Sequence, residues 1–261
     1  MKKKIYYLII KILSSLIPIK VLNKLELILQ NSLGKGISIS MESEVNSVRK
    51  FLKEDVKIIF DIGANYGVYT DELLKHYPNA KYFLFEPSKF LYNHLKTKYK
   101  NFSNVKIFNY AVSNKKTISK LYYDNLGSGL ASLNKRNLNH FKIKFDKYEK
   151  ISTISLIDLF KDNFKDKSFM IDFCKIDIEG HEYEILKSIK SYFNKFKVIQ
   201  FEFGGANIDS KTYFQNFWDL LHNDYNIYRI APTTPIQIKE YSEVDEVFIM
   251  TNFIAVNKLI I

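Results

Sequence analysis

Ile58-Ile-Phe-Asp-Ile-Gly-Ala-Asn-Tyr-Gly67 is the stretch of sequence that decides how this chain folds. Its apolar start predicts a short buried strand that ends at Asp61. The residues after the strand include two glycines and an asparagine, which accept tight turns and let a ligand approach the backbone closely. Residues 68–76 then have the pattern of a helix, whose first turn offers free N–H groups to an acceptor. A strand, a glycine turn and a helix in this order predict the ligand-binding edge of a doubly wound α/β sheet.

The glycine spacing differs from that of two well-known phosphate-binding loops. The turn reads G-x-x-x-G, whereas the dinucleotide fingerprint is G-x-G-x-x-G and a phosphate loop ends in Gly-Lys-Ser/Thr. The next strand, residues 81–85, ends in Glu86 and Pro87, about 20 residues after the glycine turn. An acid at that place in a nucleoside-binding sheet accepts hydrogen bonds from ribose hydroxyls. We therefore interpret Glu86 as a ribose ligand; the alternative is an ordinary surface acid at a strand end.

The composition fits one α/β domain with additional segments. The chain has 261 residues, of which 46% are hydrophobic, and this is enough for a sizeable core. Its net charge is +11, but the only arginines are Arg49, Arg136 and Arg229. Because Arg is the side chain that clamps phosphate and reads guanine, we interpret the charge mainly as solvated surface, with weak attraction to acidic glycans or lipid headgroups. The single Cys174 excludes a disulfide framework and fits a reducing cytoplasm.

Residues 1–44 are predicted to form a separate N-terminal helical segment. Within residues 1–20, apolar side chains recur with helical spacing between lysines, which predicts an amphipathic helix. The run is too short and too charged to cross a bilayer. Two interpretations stay open. The helix packs on the domain or on a second subunit of a homo-oligomer, or it lies at the inner face of the cell membrane with its lysines toward the lipid headgroups.

Strand-like and helix-like runs alternate through residues 45–261, the predicted main domain. A third strand ends at Asn109, a fourth at Asp177 and a fifth at Phe203. Alternation of this kind predicts a mostly parallel sheet with helices on both faces. A loop of small residues, 125–132, is interpreted as a lid or a substrate-binding segment, with plain disorder as the alternative.

These strand ends together resemble the FkbM-type family of S-adenosylmethionine-dependent methyltransferases. The motifs that carry the resemblance are Phe60-Asp-Ile-Gly-Ala-Asn-Tyr-Gly67, Phe85-Glu-Pro87, Asn109-Tyr-Ala-Val112, Lys175-Ile-Asp-Ile-Glu-Gly-His-Glu182 and Phe201-Glu-Phe203. The resemblance covers about residues 45–260. It implies the class I, Rossmann-like fold: a seven-stranded, mostly parallel sheet whose last strand is antiparallel.

The resemblance implies S-adenosyl-L-methionine as the cofactor. The glycine turn would hold its methionine part, Glu86 its ribose, and the loop after the third strand would border adenine. The residues implied to bind the cofactor are Asp61, Gly63, Ala64, Asn65, Tyr66, Gly67, Glu86, Pro87, Asn109, Tyr110 and Ala111. For Asn109, a simple role in forming the turn is the alternative.

The resemblance also implies a reaction. FkbM-type enzymes are associated with O-methylation of sugars and other natural-product hydroxyls, so a glycan acceptor is implied. A hydroxyl attacks the methyl group of the positive sulfonium in line, while a base takes the hydroxyl proton. The end of the fourth strand supplies Asp177, Glu179 and His181, and the fifth strand supplies Glu202. We predict His181 or Asp177 as the base, with Glu179 and Glu202 positioning substrate hydroxyls.

Two alternatives concern the same residues. Asp177, Glu179 and Glu202 come from two neighbouring strand ends and form a candidate site for a divalent metal ion that would lower the pKa of the hydroxyl, although we do not favour it. His181 alternatively serves only as a helix-start residue that hydrogen-bonds locally.

Other functions on the same fold stay open as well. A nucleic-acid methyltransferase, acting on RNA, fits the net charge, but the motifs expected for methylation of base amines or of cytosine C5 are missing from the sequence. A non-catalytic membrane-associated binding module and a domain for a different nucleotide are two further alternatives. The complete glycine turn and the ribose acid argue against the binding module, and the missing dinucleotide fingerprint argues against the other nucleotide.

Overall fold

The computed structural model describes residues 2–36, 39–164 and 169–259. Its helices are α1 (Lys2–Leu16), α2 (Ile19–Ser32), α3 (Met41–Arg49), α4 (Val68–His76), α5 (Lys89–Lys98), α6 (Leu156–Asn163), α7 (Glu182–Ser188), α8 (Ala206–Ser210) and α9 (Phe214–Leu221). Its strands are β1 (Ile58–Ile62), β2 (Lys81–Phe85), β3 (Val105–Phe108), β4 (Ala111–Ser113), β5 (Ile118–Tyr123), β6 (Lys147–Ser155), β7 (Ile171–Ile176), β8 (Phe196–Phe203), β9 (Tyr225–Arg229), β10 (Ile236–Ile238) and β11 (Thr251–Asn257).

The central sheet has the strand order β3–β2–β1–β7–β8–β11–β9–β10 among the described residues. Strands β3, β2, β1, β7 and β8 pair in parallel, so their carboxyl ends meet at one edge of the sheet. Strand β11 is antiparallel to both of its neighbours, β8 and β9. The order reverses between β1 and β7, which is where doubly wound sheets bind their ligands.

The predicted number of seven strands is wrong, because the central sheet has eight strands within the residues that the structure describes. The additional strand, β10, has three residues and pairs antiparallel with the edge strand β9. It lies just after Pro235, and three residues are too few to give a periodic pattern that sequence reading could detect. A separate sheet of β4, β6 and β5 lies outside the central one, with β5 and β6 forming an antiparallel pair.

The core lies on both faces of the central sheet, as expected for buried parallel strands. Along β1, Ile59 packs into the cluster on one face, and Phe60 packs into the cluster on the other. On the Phe60 face, Phe201 of β8 stacks on Phe217 of α9 with 4.9 Å between ring centroids. Burial on two faces explains why these strands are mostly apolar. The exceptions in β1 and β7 are Asp61, Asp172 and Lys175, and all three are buried.

Helices α1 and α2 are not covered by the domain. No residue of α2 is buried. The exposed apolar side chains include Ile5, Tyr6, Leu8, Ile9, Ile12, Leu13 and Leu16 in α1, and Ile19, Leu25, Leu27, Ile28 and Leu29 in α2. The segment is joined to the domain by the turn after α2, where Nε of Arg229 donates to the backbone oxygen of Leu33 across 2.7 Å. No helix in the described part of the chain is long and apolar enough to cross a membrane.

Candidate active site

A cavity of about 550 Å³ opens at the carboxyl edge of the central sheet. The sequence-predicted residues that line it are Gly63, Asn65, Glu86, Pro87, Tyr110, Ala111, Asp177 and Glu179. Apolar side chains, among them Ile62, Phe85, Leu91 and Leu121, form much of the rest of the wall. The tips of three strands, β1, β2 and β7, therefore share one cleft.

The glycine turn after β1 is shaped by how closely the neighbouring turn approaches it. Gly63 has φ +89°, and a Cβ atom there would lie 1.9 Å from the backbone oxygen of Asp177. Asn65 also has a positive φ, of 50°, which asparagine tolerates better than most residues. A side chain at position 63 would thus separate the ends of β1 and β7, so glycine is required there.

Glu86 is hydrogen-bonded to the glycine turn. Its Oε2 accepts from the backbone N–H of Asn65 at 2.9 Å, and its Oε1 accepts from the N–H of Ser88 at 2.8 Å. Burial raises the pKa of Glu86 to about 7, against the effect of these two backbone donors. Each carboxylate oxygen has two acceptor positions, so a buried Glu86 in the cavity wall can still accept from a ligand hydroxyl.

Asn109, Tyr110 and Ala111 divide into two roles. The side-chain amide of Asn109 donates to the backbone oxygens of Glu86 and Pro87, both at 2.9 Å. Its amide therefore joins the loop after β3 to the loop after β2 and does not line the cavity. Tyr110 and Ala111 do line it.

Four more of the predicted cofactor residues do not line the cavity. Asp61 is buried, and its Oδ2 accepts from Oγ1 of Thr70 at 2.6 Å. Its Oδ1 has no hydrogen-bond partner in the described part of the chain. The N–H of Ala64 donates to the oxygen of Phe85 at 3.1 Å. The other two are Tyr66, which is exposed, and Gly67, whose oxygen accepts from the hydroxyl of Tyr99.

Asp177 directly follows β7 and lies beside the buried Lys175. Nζ of Lys175 donates to Oδ2 of Asp177 at 2.6 Å. Burial by itself would lower the pKa of Lys175, but the carboxyls of Asp177, Asp61 and Glu44 together raise it above its usual value. Lys175 is therefore a permanent cation that neutralises part of the negative charge behind the cavity.

Glu179 is held by the loop that closes over the cavity. It forms an ion pair with Arg136, and its backbone oxygen accepts from Oγ of Ser132 at 2.7 Å. Burial and the charge of Asp177 raise the pKa of Glu179, although Arg136 acts in the opposite direction. Ser128, Gly129, Ala131 and Leu133 of the same loop line the cavity. The loop at 125–132 thus continues directly into the segment that holds Glu179.

The other two predicted catalytic residues, His181 and Glu202, lie outside the cavity wall. Nε2 of His181 is 3.0 Å from Oγ of Ser113, and burial lowers the pKa of His181. Glu202 lies beside the other acids, since carboxylate oxygens of Asp177, Glu179 and Glu202 all come within 4.8 Å of one another. Burial and the charges of Asp177 and Glu179 raise the pKa of Glu202. The structure therefore groups three of the four predicted residues and separates His181 from them.

The three clustered acids fit a divalent metal ion poorly. Lys175 already pairs with Asp177, and Arg136 already pairs with Glu179. Two of the three carboxylates therefore have cationic partners that a metal ion would have to displace.

The cavity does suit S-adenosylmethionine. It combines apolar walls for an adenine ring with Glu86, which can accept hydrogen bonds from the ribose hydroxyls. The carboxyl groups of Asp177 and Glu179 in the same wall offer oxygen atoms to a positively charged sulfonium.

Sequence reading missed two residues that build this site. Arg136 was noted only as one of three arginines, and its pairing with Glu179 joins positions far apart in the chain. Glu182 reaches back to accept from the N–H groups of Ile178 and Gly180, both at 2.9 Å, and so shapes the turn that carries Glu179. Its place at the start of α7 could have suggested such a role, whereas nothing in the sequence marks Arg136.

A family model described as the methyltransferase FkbM domain matches residues 61–228. Among solved structures, an FkbM methyltransferase from Methylobacillus flagellatus KT is 15% identical with a TM-score of 0.46, covering 77% of this chain and 44% of that one. The chain thus spans less than half of that relative. A precorrin-6y C5,15-methyltransferase from Geobacter metallireducens GS-15 is 15% identical with a TM-score of 0.43, covering 86% and 92% of the two chains.

An rRNA methylase from Streptococcus thermophilus is 8% identical with a TM-score of 0.45, covering 85% of this chain and 98% of that one. No curated protein matches this chain significantly. The residues matched by the family model include every residue that lines the cavity.

Proposed function

Because the chain belongs to the FkbM methyltransferase family, we propose that it transfers the methyl group of S-adenosyl-L-methionine to a hydroxyl of a sugar or surface-glycan precursor. One observation carries the proposal. A single cavity is lined both by Glu86, an acceptor suited to ribose hydroxyls, and by Asp177 and Glu179, carboxyls suited to an acceptor alcohol. The reaction needs this combination, since the two reactants must meet in one aligned complex.

Each part of the cofactor has its own residues in the cavity wall. Glu86 accepts the ribose hydroxyls, Tyr110 and Ala111 border the adenine, and the turn at Gly63 and Asn65 holds the methionine part. When bound, the cofactor supplies a methyl group on a positively charged sulfur. The chain's own residues then have to orient the acceptor hydroxyl and take its proton.

We assign the base to Asp177 and not to His181. Asp177 lines the cavity, whereas His181 is engaged with Ser113. Lys175 holds Oδ2 of Asp177 in place, which leaves Oδ1 to accept the hydroxyl proton as the methyl group is transferred. Glu179, fixed by Arg136, positions the acceptor beside Asp177.

The test is methyl transfer from labelled S-adenosylmethionine to the host's glycan precursors, with total RNA as a parallel substrate. We expect label in an alkali-stable ether on a sugar, and none in RNA. Label in RNA would overturn the assignment in favour of a nucleic-acid methyltransferase. If calorimetry shows no binding of S-adenosylmethionine, the chain is a binding module that lacks catalysis.

We further propose that the enzyme works in the cytoplasm, held peripherally at the inner face of the cell membrane by α1 and α2. The exposed apolar side chains of both helices and the lysines among them suit an interface with anionic lipid. The 15 residues of α1 extend about 22 Å, less than the roughly 30 Å of a hydrocarbon core, so the helix would lie along the surface.

Vesicle co-sedimentation of the full chain tests this placement. We expect binding to vesicles that contain phosphatidylglycerol and little binding to phosphatidylcholine alone. The double substitution Leu8→Gln and Ile12→Gln should abolish binding, whereas Leu259→Gln, at an exposed apolar residue distant in sequence, should not. A lipid-independent dimer that this double variant dissociates would instead identify a second copy of the chain as the partner.

A further inference from the structure

The hairpin of β5 and β6 has an inner and an outer face. Leu121 and Ile151 are buried on the inner face, and Leu121 lines the cofactor cavity. The strand register places a second set of side chains on the outer face. This set consists of Ile118, Lys120 and Tyr122 from β5 and of Tyr148, Lys150 and Ser152 from β6. We call this set the outer hairpin face.

Two lysines are directly opposite each other on the outer hairpin face. Lys120 pairs in register with Lys150, and Nζ of Lys120 lies 4.2 Å from the ring centroid of Tyr148. Like charges directly opposite in an antiparallel pair destabilise the sheet. Within the described residues, neither ammonium group has a carboxylate at ion-pair distance. The outer hairpin face therefore carries two positive charges without a nearby counter-charge, and such a surface attracts anionic groups.

Two tyrosines accompany these lysines. Tyr122 is opposite Tyr148, with 6.0 Å between the ring centroids. A tyrosine ring presents an apolar face and a polar edge, so it packs on the C–H face of a sugar ring while its hydroxyl stays hydrated. Charge and aromatic surface therefore lie side by side on the outer hairpin face.

The outer hairpin face borders a groove that adjoins the cofactor cavity. The groove has a volume of about 820 Å³ and is lined by Ile118, Ser119, Lys120, Tyr122, Leu133 and Lys150. Leu133 also lines the cofactor cavity, so the two spaces share a wall residue. The N–H of Tyr122 donates to the oxygen of Ser132 at 2.8 Å, and Ser132 in turn holds the backbone of Glu179. A ligand in the groove thus lies beside the wall that carries the acceptor-positioning acid.

We propose that this groove is an acceptor subsite for a sugar that bears an anionic group, either a phosphate or a carboxylate. Lys120 and Lys150 bind the anionic group, Tyr122 packs on the sugar, and the hydroxyl to be methylated extends past Leu133 toward Asp177. This proposal rests on the proposed O-methyl transfer to a sugar, and it specifies in addition that the acceptor sugar is negatively charged.

The test uses single charge reversals that keep the hairpin stable. Lys120→Glu places a carboxylate opposite Lys150, and Lys150→Glu places one opposite Lys120, so either change replaces a repulsive pair by an attractive one. Neither variant should lower the thermal midpoint. Lys81→Glu and Lys100→Glu are matched controls, because both lysines are exposed. Lys81 is the first residue of β2, so it lies at the amino ends of the parallel strands, away from the cavity at their carboxyl ends.

Binding is measured by calorimetry on the full chain with S-adenosylhomocysteine present. The probes are a galacturonate trisaccharide for carboxylate, uridine diphosphate glucose for phosphate, and maltotriose as the neutral comparison. We expect one of the anionic probes to bind more tightly than maltotriose, and each reversal at Lys120 or Lys150 to weaken it about tenfold or more, since a lost charge-assisted contact has that magnitude. Equal affinities in wild type and both reversals, or preference for maltotriose, would overturn the subsite.

The outcomes separate this subsite from the proposed reaction. If the anionic probe binds in a lysine-dependent way but no sugar is ever methylated, the subsite stands and the reaction fails. If sugars are methylated with the same KM in wild type and in Lys120→Glu, the reaction stands and the subsite fails. A raised KM with unchanged kcat and unchanged affinity for S-adenosylmethionine supports both.

Discussion

The backbone N–H of Asn65 donates to Oε2 of Glu86 across 2.9 Å, so the glycine turn after β1 and the acid after β2 form one hydrogen-bonded unit. The other carboxylate oxygen of Glu86 accepts from the N–H of Ser88. Because Glu86 orients two loops that border the cavity, a change at this residue acts on cofactor binding directly and also through the shape of the turn.

Removing the carboxyl of Glu86 should mainly weaken cofactor binding. Glu86→Ala loses the proposed ribose acceptor and leaves the N–H groups of Asn65 and Ser88 without their partner. A hydrogen bond to a charged group contributes about 1.5–3 kcal/mol, so loss of the ribose contact should raise the Kd for S-adenosylmethionine about tenfold to a hundredfold. Calorimetry measures the change, and Glu149→Ala, at an acid outside the cofactor cavity, serves as the control. Unchanged affinity in Glu86→Ala would rule out the ribose role.

The raised pKa of Glu86 should make stability fall as the pH rises. Burial raises this pKa from 4.5 to about 7, so between these values the folded state keeps a proton that the unfolded state has lost. The contribution of Glu86 to stability is therefore complete below pH 4.5 and declines up to about pH 7.

Glu86→Gln removes this titration. From pH 5 to pH 7, cofactor-free wild type should lose about 2 kcal/mol of unfolding free energy relative to this variant, since each pH unit corresponds to about 1.4 kcal/mol. Urea unfolding at several pH values measures the difference. Parallel pH profiles for the two proteins would contradict the assignment.

The sequence predicted the part of the site that lies at strand ends. Because β1 pairs in parallel with both β2 and β7, the residues that follow each strand come together, and the resemblance to FkbM enzymes is confirmed by the family model. Glu86 and Asp177 directly follow β2 and β7, so their positions along the chain were enough to place them at this edge of the sheet. Asp61, in contrast, lies within β1 and is buried.

The remaining features depend on contacts that no local pattern encodes. Arg136 and Glu179 are joined only when the loop after β5 folds back over the cavity. The periodicity of α1 indicates an apolar face, but it carries no information on whether the domain covers that face. Glu179 has φ +59°, a conformation that its sequence context did not suggest.

Substitutions at Asp177 and His181 should separate the two candidate bases. Asp177→Asn keeps the shape of the side chain but removes its basicity, and general base catalysis contributes about 10²–10⁴-fold to a rate. We expect kcat to fall by at least about a hundredfold, with little change in the affinity for S-adenosylmethionine. His181→Ala should leave kcat within about threefold, because His181 contacts Ser113 and not the cavity. If kcat instead fell in His181→Ala and stayed unchanged in Asp177→Asn, His181 would be the base.

Chelation should not reduce activity. Lys175 and Arg136 already neutralise Asp177 and Glu179, so the three-acid cluster does not need a metal ion for charge balance. We expect the same rate of methyl transfer before and after dialysis against EDTA, and no stimulation by added magnesium. Activity lost in EDTA and restored by magnesium would show that the cluster binds a catalytic metal.

Gly63→Ala should disrupt both stability and cofactor binding. The added methyl group would lie 1.9 Å from the oxygen of Asp177, and alanine would have to adopt φ +89°. Strain and the forced separation of β1 from β7 should together lower the unfolding free energy by about 2–4 kcal/mol and abolish binding of S-adenosylmethionine. Gly205→Ala is the matched control, because its added Cβ atom would come no closer than 3.8 Å to the neighbouring atoms. If the two variants had the same unfolding free energy and the same affinity for S-adenosylmethionine, the close contact between the two strand ends would not explain the glycine at position 63.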